Sequence, residues 1–142
     1  MIEKIIINNE LYAIIIRKNY KSTGIEFFTP NDFSQQLAYM RRPKGYIIQP
    51  HVHKNVKKEI KFTQEVLLIR SGKVQVDFYS EKKKYVESNI LNEGDIILLS
   101  KGGHGFKVID ECEIVEVKQG PYDPLEDKVK FDPEKETNIK IK

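Results

Sequence analysis

The sequence predicts an all-β protein, and three observations lead to that prediction. β-Branched residues dominate the apolar set, with 19 Ile and 10 Val against 8 Leu and 2 Ala. Such residues suit strands, whereas Ala is the best helix former. Short apolar runs alternate with turn residues and show almost no helical period. Roughly nine or ten strands at this spacing predict a sandwich or a closed barrel.

The 142 residues, 39% apolar and 32% charged, fit one globular domain with its own core. We expect a single domain over 1–142, with a barrel core at about 11–119 and a polar, surface-wrapping tail at 120–142. No run reaches the roughly 20 apolar residues of a membrane span, and no signal peptide is evident. The single Cys112 agrees with a cytoplasmic location. The net charge of +3 comes from scattered residues, so neither nucleic acid nor membrane is an expected partner.

Strands can be assigned in chain order. The first four are predicted at 11–17, 25–29, 35–42 and 45–53. An exposed loop is expected over 54–64, and the run 65–81 predicts a hairpin about a Ser71-Gly72 turn. Later turns are predicted at 92–94, 101–103 and 110–111, and strands at 94–100, 104–109 and 114–119.

The three histidines of the chain, His51, His53 and His104, suggest a metal site. His51 and His53 are two apart on a predicted strand, so their imidazoles point to one face. Glu65 begins the next strand, and His104 follows a Gly-Gly turn, so both could complete a site of three histidines and one carboxylate. The competing interpretation is that these histidines are ordinary surface or core residues without a metal.

The spacing of these residues resembles the two-part signature of the cupin superfamily. The chain reads Gly45-x5-His51-x-His53-x11-Glu65-x6-Gly72, then Gly94-x9-His104. The gap before Glu65 is longer than in the family motif, which we attribute to a loop insertion, and Ser100 replaces the usual proline. The resemblance implies a jelly-roll β-barrel that binds a divalent metal through His51, His53, Glu65 and His104, and it implies a homodimer.

Two points stay open within this resemblance. Glu59 is nearer to the histidines than Glu65, but it lies in the Lys-rich loop without a matching glycine, so Glu65 is preferred. The stretches 102–106 and 116–122 are also similar to small cupins associated with bacterial surface-polysaccharide and sugar-nucleotide biosynthesis. That narrower likeness implies a sugar-type ligand.

Strand alternation suggests substrate-binding residues. Gln49 shares the face of the paired histidines, and Tyr39 and Arg41 share it if the register continues across Pro43. Phe106 shares the face of His104. An arginine fork recognises carboxylate or phosphate, although Arg41 fits a solvated surface charge equally well.

The function expected from these features is that of a small cytoplasmic cupin acting on a small polar molecule. It would be an isomerase or epimerase, or an oxygenase, and the ligands suit Fe, Mn, Ni, Co or Zn alike. The alternative is a non-catalytic ligand-binding or regulatory module. We also expect the run 11–17 to be an edge strand that pairs with a second protomer.

Overall fold

The computed structural model describes residues 1–123, 125 and 128–142. The all-β prediction is confirmed, because this part of the chain contains eight strands and no α-helix, only the 3-10 turn Glu136–Asn138. The strands are β1 (Ile2–Ile7), β2 (Glu10–Ile16), β3 (Gly24–Phe27), β4 (Ala38–Arg41), β5 (Glu65–Tyr79), β6 (Tyr85–Asn92), β7 (Ile96–Leu99) and β8 (Gly103–Lys118). No helix in the described residues has the length and apolarity needed to cross a membrane.

Six strands form one antiparallel sheet in the order β1-β2-β7-β5-β6, and β8 pairs along the opposite edge of β5. This sheet is strongly curled into a half-barrel, a shape compatible with a jelly roll. Strands β3 and β4 form a separate two-stranded sheet. It covers the outer face of β2 and β7, where Phe28 and Leu37 pack with Ile14 and Leu98.

The main core lies on the concave face of the curled sheet. Leu67 and Ile69 of β5 belong to it, as their shared parity with Glu65 predicts, together with Val74, Val76 and Phe78. Strands β2 and β7 are buried on both faces, which explains why their sequences are almost continuously apolar. The outer residues of these strands join the cluster beneath β3 and β4.

Two of the predicted turns are wrong. Ser71 and Gly72 lie inside β5, and Asp110 and Glu111 lie inside β8, because the two strands pair continuously over most of their length. Register shifts between Ile69 and Val74 mark a bulged bend at this point. A bulge with a left-handed glycine uses the same residue types as a tight turn, so the local sequence does not separate the two.

The prediction of a strand over 45–53 is also wrong. The structure describes all of these residues, and none belongs to a strand. Pro43 and Pro50 each remove a backbone donor, and no neighbouring strand pairs with this segment. The parity argument that put Gln49 on one face with Tyr39 and Arg41 therefore loses its basis.

The N-terminus differs from expectation as well. The chain begins with β1, which lies outside the predicted strands, and a turn with positive φ at Asn8 and Asn9 joins it to β2. Consecutive left-handed residues of this kind are typical of tight hairpins. Because β2 lies between β1 and β7, the run 11–17 is not an edge strand.

The part of the tail over 128–142 packs against the sheet. Phe131 packs edge-on against Tyr79, with 5.0 Å between the ring centres. Farther along, the backbone of Ser88 donates to the carbonyl of Lys140 at 2.9 Å, and Ile141 forms a parallel bridge with Ser88. The end of the tail is thus attached to the outer edge of β6.

We expect Gly72→Ala to destabilise the fold severely. Gly72 has φ +78°, and an added Cβ would overlap the Glu111 carbonyl oxygen and stand 2.7 Å from the Cα of Cys112. Both atoms belong to backbone and can move only if the bend opens. Urea denaturation should show a loss of more than about 2 kcal/mol.

Gly45→Ala is the matched control for this substitution. Gly45 has φ +83°, but nothing lies within 4 Å of its added Cβ. Gly45→Ala should therefore lower the free energy of unfolding by about 1 kcal/mol, the cost of the left-handed conformation alone. Equal losses for the two variants would contradict the close approach at the bend.

Candidate functional site

Glu65 and His104 meet although they lie near opposite ends of one two-stranded ribbon. Glu65 pairs with Lys118 at the first end of β5, and His104 pairs with Phe78 near the other end. In a flat ribbon these two points would be about 40 Å apart, at ~3.3 Å per residue. Instead, His104 Nε2 lies 3.1 Å from Glu65 Oε2. The β5–β8 ribbon therefore curls until its two ends face each other.

The Glu65 carboxylate is buried and lies close to an imidazole and to lysine ammonium groups. The residue is only 6% exposed, and its Oε1 lies 3.8 Å from the Lys118 ammonium. The hydrogen bond from His104 lowers the pKa of the Glu65 carboxyl and outweighs the opposing effect of burial. The charges of His104, Lys128 and Lys118 lower it further. Glu65 is thus held as a carboxylate.

A cavity of about 440 Å³ opens at this pair. Three aromatic side chains, Tyr79, Phe106 and Phe131, line it together with Glu65 and His104. Its remaining described lining consists of Thr63, Gly102, Gly103, Gly105, Lys128, Val129, Lys130 and Pro133. The tail therefore forms one wall of the cavity, and the ribbon forms the other.

The Gly-Gly turn before His104 has a structural reason. Gly102 has φ +72°, and an added Cβ would overlap the Tyr12 ring. A Cβ added to Gly103 would stand 3.0 Å from the Phe131 ring. Small residues here let Tyr12 and the tail approach the start of β8, which positions His104.

His51 and His53 lie close to each other but on the exposed segment. Their rings are 5.3 Å apart and nearly perpendicular, and His51 Nδ1 lies 2.9 Å from the Gln49 carbonyl oxygen. Within the described residues, no group of three or more His, Cys, Asp or Glu side chains could hold a metal ion. The four predicted metal ligands thus occur as two pairs, Glu65 with His104 and His51 with His53.

The first of these pairs suits a metal in its spacing. Two ligand atoms at about 2.1 Å from one ion stand roughly 3.0–3.4 Å apart, and the Glu65–His104 distance of 3.1 Å falls in that range. An ion there would replace the proton that the two groups share. The donor chemistry of three imidazoles and one carboxylate also fits a divalent transition metal.

The predicted substrate-binding residues occupy different places. Phe106 lines the cavity, and its ring lies 5.5 Å from that of His104. Tyr39 packs with Tyr20 in the outer cluster, whereas Arg41 and Gln49 are exposed. None of these last three is among the described residues that line the cavity.

The alternative carboxylate, Glu59, is exposed in the segment after His53, whereas Glu65 contacts His104.

Sequence reasoning missed the cationic residues of the site. Lys118 faces Glu65 with a side chain only 13% exposed, but the face of its strand could not be read from the sequence alone. Lys128 and Lys130 come from the tail, and no periodic pattern linked them to Glu65. The register between β5 and β8, had it been known, would have located Lys118 opposite Glu65. Only tertiary packing locates Lys128 and Lys130.

No family model, no curated protein and no solved structure matches this chain.

The lowered pKa of Glu65 predicts a specific pH dependence of stability. A carboxyl with a folded-state pKa below its unfolded value of 4.5 stabilises the fold above that pH. This contribution is lost as the pH falls through the folded-state pKa. Urea unfolding with a chelator present should therefore show wild type more stable than Glu65→Gln at pH 7, with the difference shrinking at lower pH.

Glu113→Gln is the control, because it removes one charge from an exposed position of β8. A stability difference between wild type and Glu65→Gln that stays constant from neutral to acidic pH would show that His104 does not stabilise the ionised carboxylate.

Proposed function

We propose that this chain is a cupin-type protein whose working site is the cavity at Glu65 and His104. One observation carries the proposal: a buried carboxylate hydrogen-bonded to an imidazole lines a cavity inside a curled β sheet. Buried acid–base pairs at cavities are typical of functional sites. The ligand is a small polar molecule, for which the two-part motif and the narrower likeness favour a sugar-type compound.

The metal ligands in this proposal are His51, His53, Glu65 and His104. A divalent ion held by them would supply Lewis acidity toward an oxygen atom of the ligand. The segment that carries His51 and His53 must come to the Glu65–His104 pair for this to happen. Its exposure and lack of strand pairing are compatible with such a rearrangement. The ligand set does not select among Fe, Mn, Ni, Co and Zn.

The chain's own groups suit proton transfer, which favours an isomerase or epimerase over an oxygenase. The Glu65 carboxylate lines the cavity and, once released from the metal, could take up a proton from the ligand and return it. Lys118 lies 3.8 Å from the same carboxylate and stabilises its charge. The three aromatic rings that line the cavity would limit access of water to the bound ligand.

A non-catalytic binding module remains the second candidate, and the same contacts provide its support. Glu65 is already paired with both His104 and Lys118. These groups could therefore hold a ligand in the cavity without transferring a proton to it. Metal-dependent turnover of a bound sugar-type compound would decide for the enzyme. Binding without turnover, unaffected by metal, would decide for the module.

Metal content tests the four-ligand proposal. Wild type purified without a tag and dialysed against each candidate metal should retain about one equivalent per chain. His51→Ala/His53→Ala and Glu65→Gln should bind metal at least tenfold more weakly, because each removes ligand atoms. Mass spectrometry of the metal bound after dialysis gives the comparison.

Two controls accompany this experiment. Lys57→Ala/Lys58→Ala changes the same exposed segment without touching a ligand, and Glu59→Gln removes the alternative carboxylate. Both should keep the wild-type metal content. The metal proposal would be overturned if the double histidine variant retained the wild-type metal content, or if wild type bound no metal. The binding module would then be the remaining candidate.

We further infer a cytoplasmic homodimer. The resemblance implies the dimer, and β8 offers an interface in place of 11–17. Its edge away from β5 has no strand partner in the described part of the chain, and Val108, Ile109 and Val117 are exposed on it. Long exposed edges of this kind associate readily.

Light scattering at micromolar concentration should therefore give twice the chain mass of 16.6 kDa. Val108→Lys should shift the mass toward the monomer, since a charge disfavours edge pairing. Val56→Lys makes the same exchange at an equally exposed position outside the sheet and serves as the control. A monomeric wild type would refute the dimer.

A further inference from the structure

The cavity at Glu65 and His104 carries an excess of positive charge. Glu65 is the one acid among its described lining residues; His104 contacts it at 3.1 Å and the Lys118 ammonium lies 3.8 Å from it. Lys128 and Lys130 line the same cavity. Neither makes an ion pair within 4 Å with a carboxylate in the described part of the chain. The charge of Lys128 also acts on Glu65, but neither lysine is held in an ion pair by a described residue, so both ammonium groups can contact a ligand.

The wall that carries these lysines is fixed in position on the sheet. Phe131 packs edge-on against Tyr79, whose hydroxyl accepts a hydrogen bond from the backbone of Glu134 at 3.0 Å. Beyond it, Lys107 forms an ion pair with Glu136. These contacts hold the tail against the ribbon, so that the two lysines face the cavity in the folded protein.

Most apolar side chains of the lining are aromatic. Tyr79, Phe106 and Phe131 come from β5, β8 and the tail, and they surround the space beside Lys128 and Lys130. Aromatic faces bind the flat or ring-shaped part of an organic molecule, and ammonium groups bind its anionic part. The cavity thus combines recognition of a ring with recognition of a negative charge.

We propose that Lys128 and Lys130 bind the phosphate group of a small organic phosphate whose ring lies against the aromatic side chains. A phosphate is favoured over a carboxylate because it matches two cations with up to two negative charges. This assignment names the ligand class of the cavity and so rests on the proposed function. It gives the C-terminal tail a direct part in ligand binding.

Titration of the full-length protein tests this assignment. The probes are inorganic phosphate, phenyl phosphate and acetate at matched, low ionic strength, where charge screening is weak. Binding is followed by the amide NMR shifts of Gly102, Gly103 and Gly105, which line the cavity. Phosphate should bind wild type more tightly than acetate does, and phenyl phosphate more tightly than phosphate.

The decisive variant is Lys128→Ala/Lys130→Ala, which should weaken both phosphates about tenfold or more. Its matched control is Lys82→Ala/Lys84→Ala, which removes two exposed lysines from the connection between β5 and β6 and should bind like wild type. Phe131→Ala should abolish the advantage of phenyl phosphate over inorganic phosphate. Unchanged amide spectra away from the cavity would show that each variant is folded.

Three results would overturn the assignment: no phosphate binding at about 10 mM, equal affinities in the two lysine variants, or acetate binding as tightly as phosphate. The variant His51→Ala/His53→Ala separates this assignment from the metal proposal. If this variant binds phosphate within about threefold of the wild-type affinity and keeps the wild-type metal content, the metal site is rejected and the phosphate site is retained. Loss of metal in that variant, together with equal phosphate affinities in the two lysine variants, would instead retain the metal site and reject the phosphate site.

Discussion

The site depends on the curl of the β5–β8 ribbon. A bulged bend near Gly72 turns the ribbon back on itself, and the contact between Glu65 and His104 spans the two ends that the bend brings together. The backbone of Glu111 lies so close to Gly72 that a side chain there would collide with it. The same curvature makes the concave face that holds the core. The geometry of the Glu65–His104 site and the hydrophobic burial are therefore consequences of one bend.

A buried polar cluster links the tail to this frame. Asp77 accepts hydrogen bonds from Gln75 Nε2 at 2.7 Å and from Ser88 Oγ at 2.5 Å. The backbone of Ser88 in turn pairs with the last residues of the chain. Buried polar groups are costly unless every partner is present, so a satisfied cluster specifies one arrangement. Through Ser88, that specificity extends to the tail that forms the wall of the cavity.

The sequence predicted much of the local structure, for reasons that particular residues illustrate. The runs around Ile14 and Leu98 are apolar because both faces of their strands are buried. The turn at 92–94 is stabilised where the buried Asp95 accepts from the backbone of Asn92 at 3.0 Å and from Arg17 at 2.9 Å. Gly72 misled the prediction, since a glycine with positive φ serves a bulge as readily as a hairpin.

Composition and alternation by themselves determined the all-β class and the shared inward face of Glu65, Leu67 and Ile69. These are local properties: they follow from β-branching and from a side-chain period of two. Tertiary structure decided which residues meet. It joined Glu65 to His104 across the curled ribbon, left His51 and His53 on an exposed segment, and brought tail lysines to the cavity. Such contacts depend on the path of the backbone between distant residues, which no local pattern encodes.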